Sequence, residues 1–279
     1  MDRATFLGSL ALVLWSLLAL LSRGGAAIPP FQLTAMAFSV SAGLGLAWLA
    51  VRGTLGVLRQ PPLAWLHGVG GLFGYHALFF AALAHAPAAE ANLLNYSWPL
   101  LIVLLSAPLL GMRLTARHLI GVATGLAGSI LLLARGTHFT AGALFGYVCA
   151  AAAAFVWAFY SVLSRRLRAV PSEALAGFCA GTAVLAALAH GLFEPTVVPD
   201  ARVLGCVLAL GAGPAGIAFV LWDIGMKRGD PRLLGTLAYA TPVASTLLLA
   251  AGGFATLSVA SAAAAILVAL GGWIATRAR

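Results

Sequence analysis

A helix carrying residues 92–99 sets Asn92, Asn95, Tyr96 and Pro99 on one stripe, with Trp98 on its flank beside Asn95. That follows from a turn of about 100° per residue. Two amides, a phenol and a helix-breaking proline on one face are ill suited to lipid. Such groups donate and accept hydrogen bonds, but none is a strong nucleophile or a permanent charge. Their chemistry is recognition. A second stripe combines Tyr239 with Thr236 and Pro242, a third Tyr75 and Phe79 with His76 beside them, a fourth Trp157, Tyr160, Ser161 and Ser164. Trp15, Trp98 and Trp157 fall near the middle of their apolar stretches, where each indole N–H needs an acceptor. Converging stripes of this kind would enclose a pocket with aromatic walls and a few fixed polar groups, suited to a small zwitterion with an apolar side chain.

The elements holding these stripes are membrane helices. The chain is 62% hydrophobic and 8% charged, against roughly 25% charged in soluble domains. Ten stretches, about 5–22, 32–51, 63–84, 88–109, 118–134, 141–163, 173–193, 203–224, 232–251 and 258–275, are each long enough to cross a bilayer of about 30 Å. The fold class expected is all-α and integral to the membrane. The first stretch, with Arg3 before it and Gly24-Gly25-Ala26-Ala27 after it, has the look of a signal peptide. Its Trp15–Ser22–Arg23 pattern returns at Trp157–Ser164–Arg165 inside the chain, so it is read as a span.

The net charge of +9 is accounted for by topology. With the N-terminus inside, thirteen of the sixteen Lys and Arg residues fall in cytoplasmic segments, leaving Arg23, Arg135 and Arg202 outside. This positive-inside bias places both termini in the cytoplasm and leaves no basic surface for nucleic acid. Trp48, Trp65, Trp222 and Trp273 sit near the cytoplasmic ends of their spans, where an aromatic belt is expected. The three cysteines, Cys149, Cys179 and Cys206, lie within spans and form no disulfide framework. Gly70 with Gly74, Gly121 with Gly125 and Gly128, and Gly142 with Gly146 have helix-contact spacing. Thr115 and Ser258 stand where a hydroxyl caps spans five and ten.

The spans repeat. Trp15, Ser22-Arg23 and Pro29 answer Trp157, Ser164-Arg165 and Pro171; Gly71 and Gly74 answer Gly213 and Gly216 at an offset of 142. Tyr96-Ser97-Trp98-Pro99 answers Tyr239-Ala240-Thr241-Pro242 at 143. Two copies, 1–137 and 138–279, with five spans each, must point in opposite directions, the mark of a secondary transporter with a site at the pseudo-two-fold axis. Pro99 and Pro242 lie near the middles of spans four and nine, where each removes a hydrogen bond and bends the helix; they are the expected hinges.

Titratable groups are sparse at mid-depth. His76 alone among the histidines lies near a span centre, and reads as a hydrogen-bonded interior group; His67, His85, His118, His138 and His190 read as solvated. Glu90 opens span four, where an acid suits a helix N-terminus, and Asp223 has Lys227 four residues on, a surface pair. Ion-coupled carriers keep an ionisable group deep in the membrane, so the absence of a midplane acid favours facilitated exit over proton coupling. A multidrug exporter of hydrophobic cations is the alternative, served by the aromatics but lacking an acid. An intramembrane enzyme is more remote, with no G-x-S-x-G, H-E-x-x-H or paired aspartate motif. No cofactor or metal is expected. The partners expected are a small-molecule substrate and the lipid bilayer, with monomer or dimer left open.

The whole chain resembles the drug/metabolite transporter superfamily, specifically its ten-span EamA-repeat proteins. Within them, the run Asn95-Tyr96-Ser97-Trp98-Pro99-Leu100 is similar to that of the YddG-type exporters of aromatic amino acids. The resemblance implies two inverted five-helix repeats in a basket, with spans one, three, four, six, eight and nine around a central cavity. It further implies a bacterial inner-membrane location, export of amino acids by alternating access, and binding roles for Trp15, Tyr75, Tyr96, Trp98 and Trp157.

Overall fold

The computed structural model describes residues 1–18, 21, 28–134, 137–254 and 258–278. Ser22, Arg23, the 24–27 stretch, Arg135 and Arg279 lie outside the described residues, and with them the distal end of the first expected span. Among the described residues, nine helical stretches are long and apolar enough to cross a membrane. They are Pro30–Val51, Pro62–His85, Ala88–Leu110, Ala116–Leu133, Ala141–Ser164, Ser172–Phe193, Ala201–Arg228, Pro231–Ala251 and Val259–Thr276. Arg3–Ser16 is a shorter apolar helix before them. In chain order these are spans one to ten. The chain is an all-α membrane protein.

Span ends follow local chemistry. Pro30 and Pro62 open spans two and three at positions where the missing N–H costs nothing. Thr115 with His118, and Ser258 with Ser261, form capping boxes on spans five and ten, as the sequence led us to expect. Asp2 and Asp200 accept from Thr5 N and Val203 N at the starts of spans one and eight.

Among the described residues, three spans are interrupted. Span four is Ala88–Asn95 followed by Trp98–Leu110, and span nine is Pro231–Leu237 followed by Ala240–Ala251. The breaks precede Pro99 and Pro242, because a proline ring presses on the turn behind it and supplies no N–H to that turn. Bonding there tightens to three-residue spacing, from Ser97 N to Leu94 O at 3.0 Å and from Thr241 N to Ala238 O at 3.0 Å. Span eight is Ala201–Ala212 and Ala218–Arg228 joined by a π-turn, Gly213–Ile217, around Pro214. Its counterpart in span three runs unbroken from Pro62 to His85.

Packing displays the two-fold relation. The most extensive helix pairs are five with ten, two with seven, three with six and one with eight. Exchanging each span of one half for its counterpart maps the first two pairs onto themselves and the last two onto each other. Four with six and one with nine likewise exchange. With five helical stretches to a half, the halves are antiparallel around the central space. Glycine allows close backbone approaches: a Cβ on Gly225 would lie 2.6 Å from Gly8 Cα, and one on Gly121 would lie 2.8 Å from Gly271 O. Lipid offers no hydrophobic drive between helices, so such backbone contact is what holds spans one to eight and five to ten. Gly70 and Gly74, by contrast, meet nothing closer than 3.7 Å.

Candidate functional site

A cavity of about 530 Å³ opens between the two halves. Trp15, Tyr75, His76, Phe79, Asn92, Asn95, Tyr96, Trp98 and Trp157 from the sequence reading all line it. Phe38, Phe80, Phe219, Thr34, Thr241 and Ser245 line it as well and had no signal of their own: each is an ordinary residue in an apolar run, placed there by tertiary packing alone. Along most spans the lining residues lie between the middle and the end away from Met1, with Trp157 and Phe219 just past the middle of spans six and eight at the base of the cavity. On span two, for example, they are Leu33, Thr34, Ala37 and Phe38 of Pro30–Val51. The cavity therefore opens toward the end opposite the termini.

Its floor is aromatic. Trp15 meets Trp157 at 5.5 Å, Phe219 at 5.7 Å and Trp222 at 5.1 Å, while Trp98 meets Trp222 edge-on at 5.8 Å. Offset and edge-to-face contacts of this kind are favourable beyond the area they bury. The Trp15 indole donates to Pro214 O at 3.0 Å, a carbonyl displaced by the π-turn of span eight. That settles the acceptor its mid-depth N–H required, and π-turns inside helices occur often at functional sites. On the wall, Tyr75 and Phe79 stack at 6.0 Å, Asn95 Nδ2 donates to Tyr75 Oη at 3.2 Å, and His76 Nδ1 is held by Leu72 O at 2.8 Å. His76 is thus the hydrogen-bonded interior histidine the sequence suggested.

Three candidate residues are elsewhere. Tyr160 lies below the floor, stacked on His67 at 4.7 Å, and Ser161 accepts from Trp222 Nε1 at 3.0 Å. Span six turns these two toward the closed end while Trp157, one turn earlier, reaches the cavity. Tyr239 is fully buried with its ring over Gly125 of span five; the missing Cβ of Gly125 gives the ring its space, so it points away from the chamber. Thr241, two residues on, faces it instead.

Beneath the floor the bundle is sealed, leaving a void of about 10 Å³, too small for more than one water. Several sequence expectations are corrected here. Trp222 is 1% exposed and belongs to the floor rather than to an aromatic belt; Trp48 and Trp273 do sit exposed, under Arg52 and Arg277. Asp223 and Lys227 form a buried ion pair at 2.7 Å, not a surface one. Ser172 Oγ donates to Asp223 at 2.6 Å and Lys227 Nζ to Val170 O at 2.8 Å, the further bonds a desolvated pair requires. His67 and His118 are packed rather than solvated: His67 against Tyr160 and Ser164, His118 at 1% exposure in its capping box. Nothing in the sequence spacing distinguishes a surface i, i+4 pair from one covered by the 165–171 connection.

The same end is laced by basic side chains. Arg165 donates to Gly229 O, Arg166 to Leu109 O at 2.6 Å, Arg232 to Arg113 O at 2.8 Å and Arg117 to Arg277 O at 2.8 Å. Burial alone would raise the Asp230 carboxyl, but hydrogen bonds and charge from Arg232 outweigh it and hold that group below the usual carboxylate range. At the open end, Glu194 accepts from Phe31 N at 2.9 Å and Gln32 N at 3.1 Å, stabilising the start of span two. Glu90 is buried too, taking His138 N at 2.6 Å instead of facing solvent.

Two antiparallel helical halves, helices broken at corresponding depths, and one chamber open at one end and sealed at the other define a secondary transporter. The chain belongs to the EamA-like transporter family, whose model matches it twice, over residues 3–134 and 144–277. It is 53% identical to the aromatic amino acid exporter YddG of Ancylobacter novellus, across 98% of this chain and 96% of that protein. It is 28% identical to the YddG of Salmonella typhimurium, across 100% and 99%. A probable terminal-alkyne amino-acid exporter of Streptantibioticus cattleyicolor is 28% identical across 78% of each. A crystal structure with 53% sequence identity superposes with a TM-score of 0.95, covering 98% of this chain and 96% of that one.

Proposed function

We propose that this chain exports neutral amino acids, aromatic ones among them, and related metabolites across the bacterial inner membrane. The observation that carries the reading is the chamber wall: aromatic rings, amides and hydroxyls, with no Asp, Glu, Lys or Arg among its described lining residues. A zwitterion has no net charge to neutralise, whereas an organic cation lacks a counter-ion there. The cavity of about 530 Å³ is within the range for small ligands. The names of the relatives above point the same way.

In this reading 1–137 and 138–279 are the two repeats, and the thirteen inward basic residues hold both termini in the cytoplasm. The chamber then faces outward and the sealed end faces the cytoplasm. Alternating access follows from rocking of one repeat against the other, with Pro99 and Pro242 taking up the bend. Substrate contacts come from Trp15, Tyr75, His76, Phe79, Asn92, Asn95, Tyr96, Trp98 and Trp157, while Tyr160, Ser161 and Tyr239 support the floor and wall from behind.

The test is counterflow in proteoliposomes loaded with unlabelled amino acid, against a panel of labelled amino acids and a quaternary ammonium cation. Amino acid exchange that continues under an uncoupler, with pH clamped on both sides, supports facilitated transport. Exchange of the cation but of no amino acid overturns the substrate assignment, and complete loss under the uncoupler overturns facilitated transport in favour of proton coupling.

A further inference from the structure

Among the described residues, two oxygens beside the chamber have no hydrogen-bond partner. Asn95, the last residue of the first half of span four, is 4% exposed; its Nδ2 is used by Tyr75 and its Oδ1 is unpaired. Thr241, in the first turn after the break in span nine, is 7% exposed and its hydroxyl is unpaired. Both residues line the chamber, yet both oxygens are shielded from solvent. Water filling the open chamber therefore does not satisfy them, and unpaired buried oxygens are costly. One belongs to each of the two spans broken ahead of a proline.

The chemistry of the missing partner is narrow. An amide oxygen only accepts, so the partner is a donor. A carboxylate or phosphate brings acceptors alone and leaves Asn95 Oδ1 worse off. An ammonium group brings three donors on one charge, and hydrogen bonds to a charged donor are about twice as strong as neutral ones. The described chamber wall offers it no carboxylate, so neutral oxygens are what it meets.

We infer that the α-ammonium group of the transported amino acid is received by Asn95 Oδ1 and the Thr241 hydroxyl as the halves of spans four and nine close on it. This rests on the amino acid reading above and adds which end of the substrate is held, and by which residues. The apolar side chain then lies toward Trp15, Trp157 and Phe219. Because the two oxygens are reached only when the broken helices shift, an amine-bearing ligand favours the closed state over the open one. A ligand without the amine has no such difference to offer, and a ligand moves an equilibrium only by its differential affinity.

The experiment is calorimetric titration of the detergent-solubilised full chain with L-phenylalanine, with 3-phenyllactate (hydroxyl in place of amine), with N-acetyl-L-phenylalanine and with phenethylamine. Wild type is expected to prefer phenylalanine over phenyllactate and the N-acetyl compound by roughly ten- to a hundredfold, the worth of one charged hydrogen bond. Asn95→Leu should reduce that preference to within about threefold and Thr241→Val should reduce it partway. Asn95→Asp should tighten phenethylamine binding, and it decides the matter if Asn95→Leu fails to fold. A wild-type amine preference that survives Asn95→Leu and Thr241→Val in folded protein overturns the assignment, as does weaker phenethylamine binding by Asn95→Asp. Those outcomes leave amino acid transport standing. Failure of wild type to exchange any amino acid in counterflow removes both readings.

Discussion

Tyr96 and Trp98 stand two residues apart in sequence but answer to different constraints. Tyr96 lies in the break of span four and borders the chamber, while Trp98 is 7% exposed and packs edge-on to Trp157 and Trp222. Truncating a buried tryptophan to alanine costs about 3–5 kcal/mol, so Trp98→Ala confuses folding with binding. Tyr96→Ala and Trp98→Phe separate them. Both are expected to cut counterflow at least about tenfold, the effect of about 1.4 kcal/mol, while the melting temperature of each falls by only a few degrees. Unchanged counterflow in both, measured on folded protein, removes the pair from the binding surface. The residue types and their spacing were legible from sequence here because polar groups in an apolar helix stand out. Phe38 and Phe219 were not legible, since a phenylalanine facing a cavity and one facing lipid look alike in a chain 62% hydrophobic.

The interrupted helices are the elements on which movement depends. Pro99 and Pro242 each deny one backbone N–H to the preceding turn, and the chain answers with tighter bonding at Ser97 and Thr241. Restoring the N–H by Pro99→Ala or Pro242→Ala lets the interrupted turn close into regular helix; because both prolines stand in the first turn of their second half-helices, the gain is smaller than the about 3 kcal/mol of a helix-interior proline. The expected outcome is a stability equal to or above that of wild type and a slower maximal exchange rate, read by thermal unfolding and by counterflow at saturating substrate. A loss of stability with an unchanged rate would assign the prolines to static packing. Span eight deforms by a different device, the π-turn at Gly213–Ile217, whose displaced Pro214 carbonyl holds Trp15. Pro214 stands inside the Gly213–Gly216 run that answers Gly71–Gly74, but whether a proline yields a kink or a π-turn depends on what accepts and donates around it.

At the scale of the whole molecule, one end is sealed and the other open. The sealed end combines the tryptophan floor, the buried Asp223–Lys227 pair and arginines bound to carbonyls of the other connections. A cysteine at Ser245, on the chamber wall, should react with a membrane-impermeant thiol reagent added from outside the cell. A cysteine at Ser172, buried beside Asp223, should resist the same reagent. The two native buried thiols, Cys149 and Cys179, and the half-buried Cys206 are replaced beforehand. Labelling of Ser172→Cys and protection of Ser245→Cys from outside would reverse the assigned orientation or the open end.

Sequence by itself determined the membrane class, the number and order of apolar segments, their repetition at offsets of 142 and 143 and the positions of the two prolines, because hydropathy and backbone chemistry act locally along the chain. Tertiary structure decided which faces turn inward. It put Tyr239 over Gly125 and Thr241 on the chamber, sank Trp222 and the Asp223–Lys227 pair into the sealed end, and opened the cavity at one end only. Two copies of one pattern carry nearly the same local preferences, so only the contacts each copy makes with the other, such as a missing Cβ or a bent helix, select the side chains that meet a substrate.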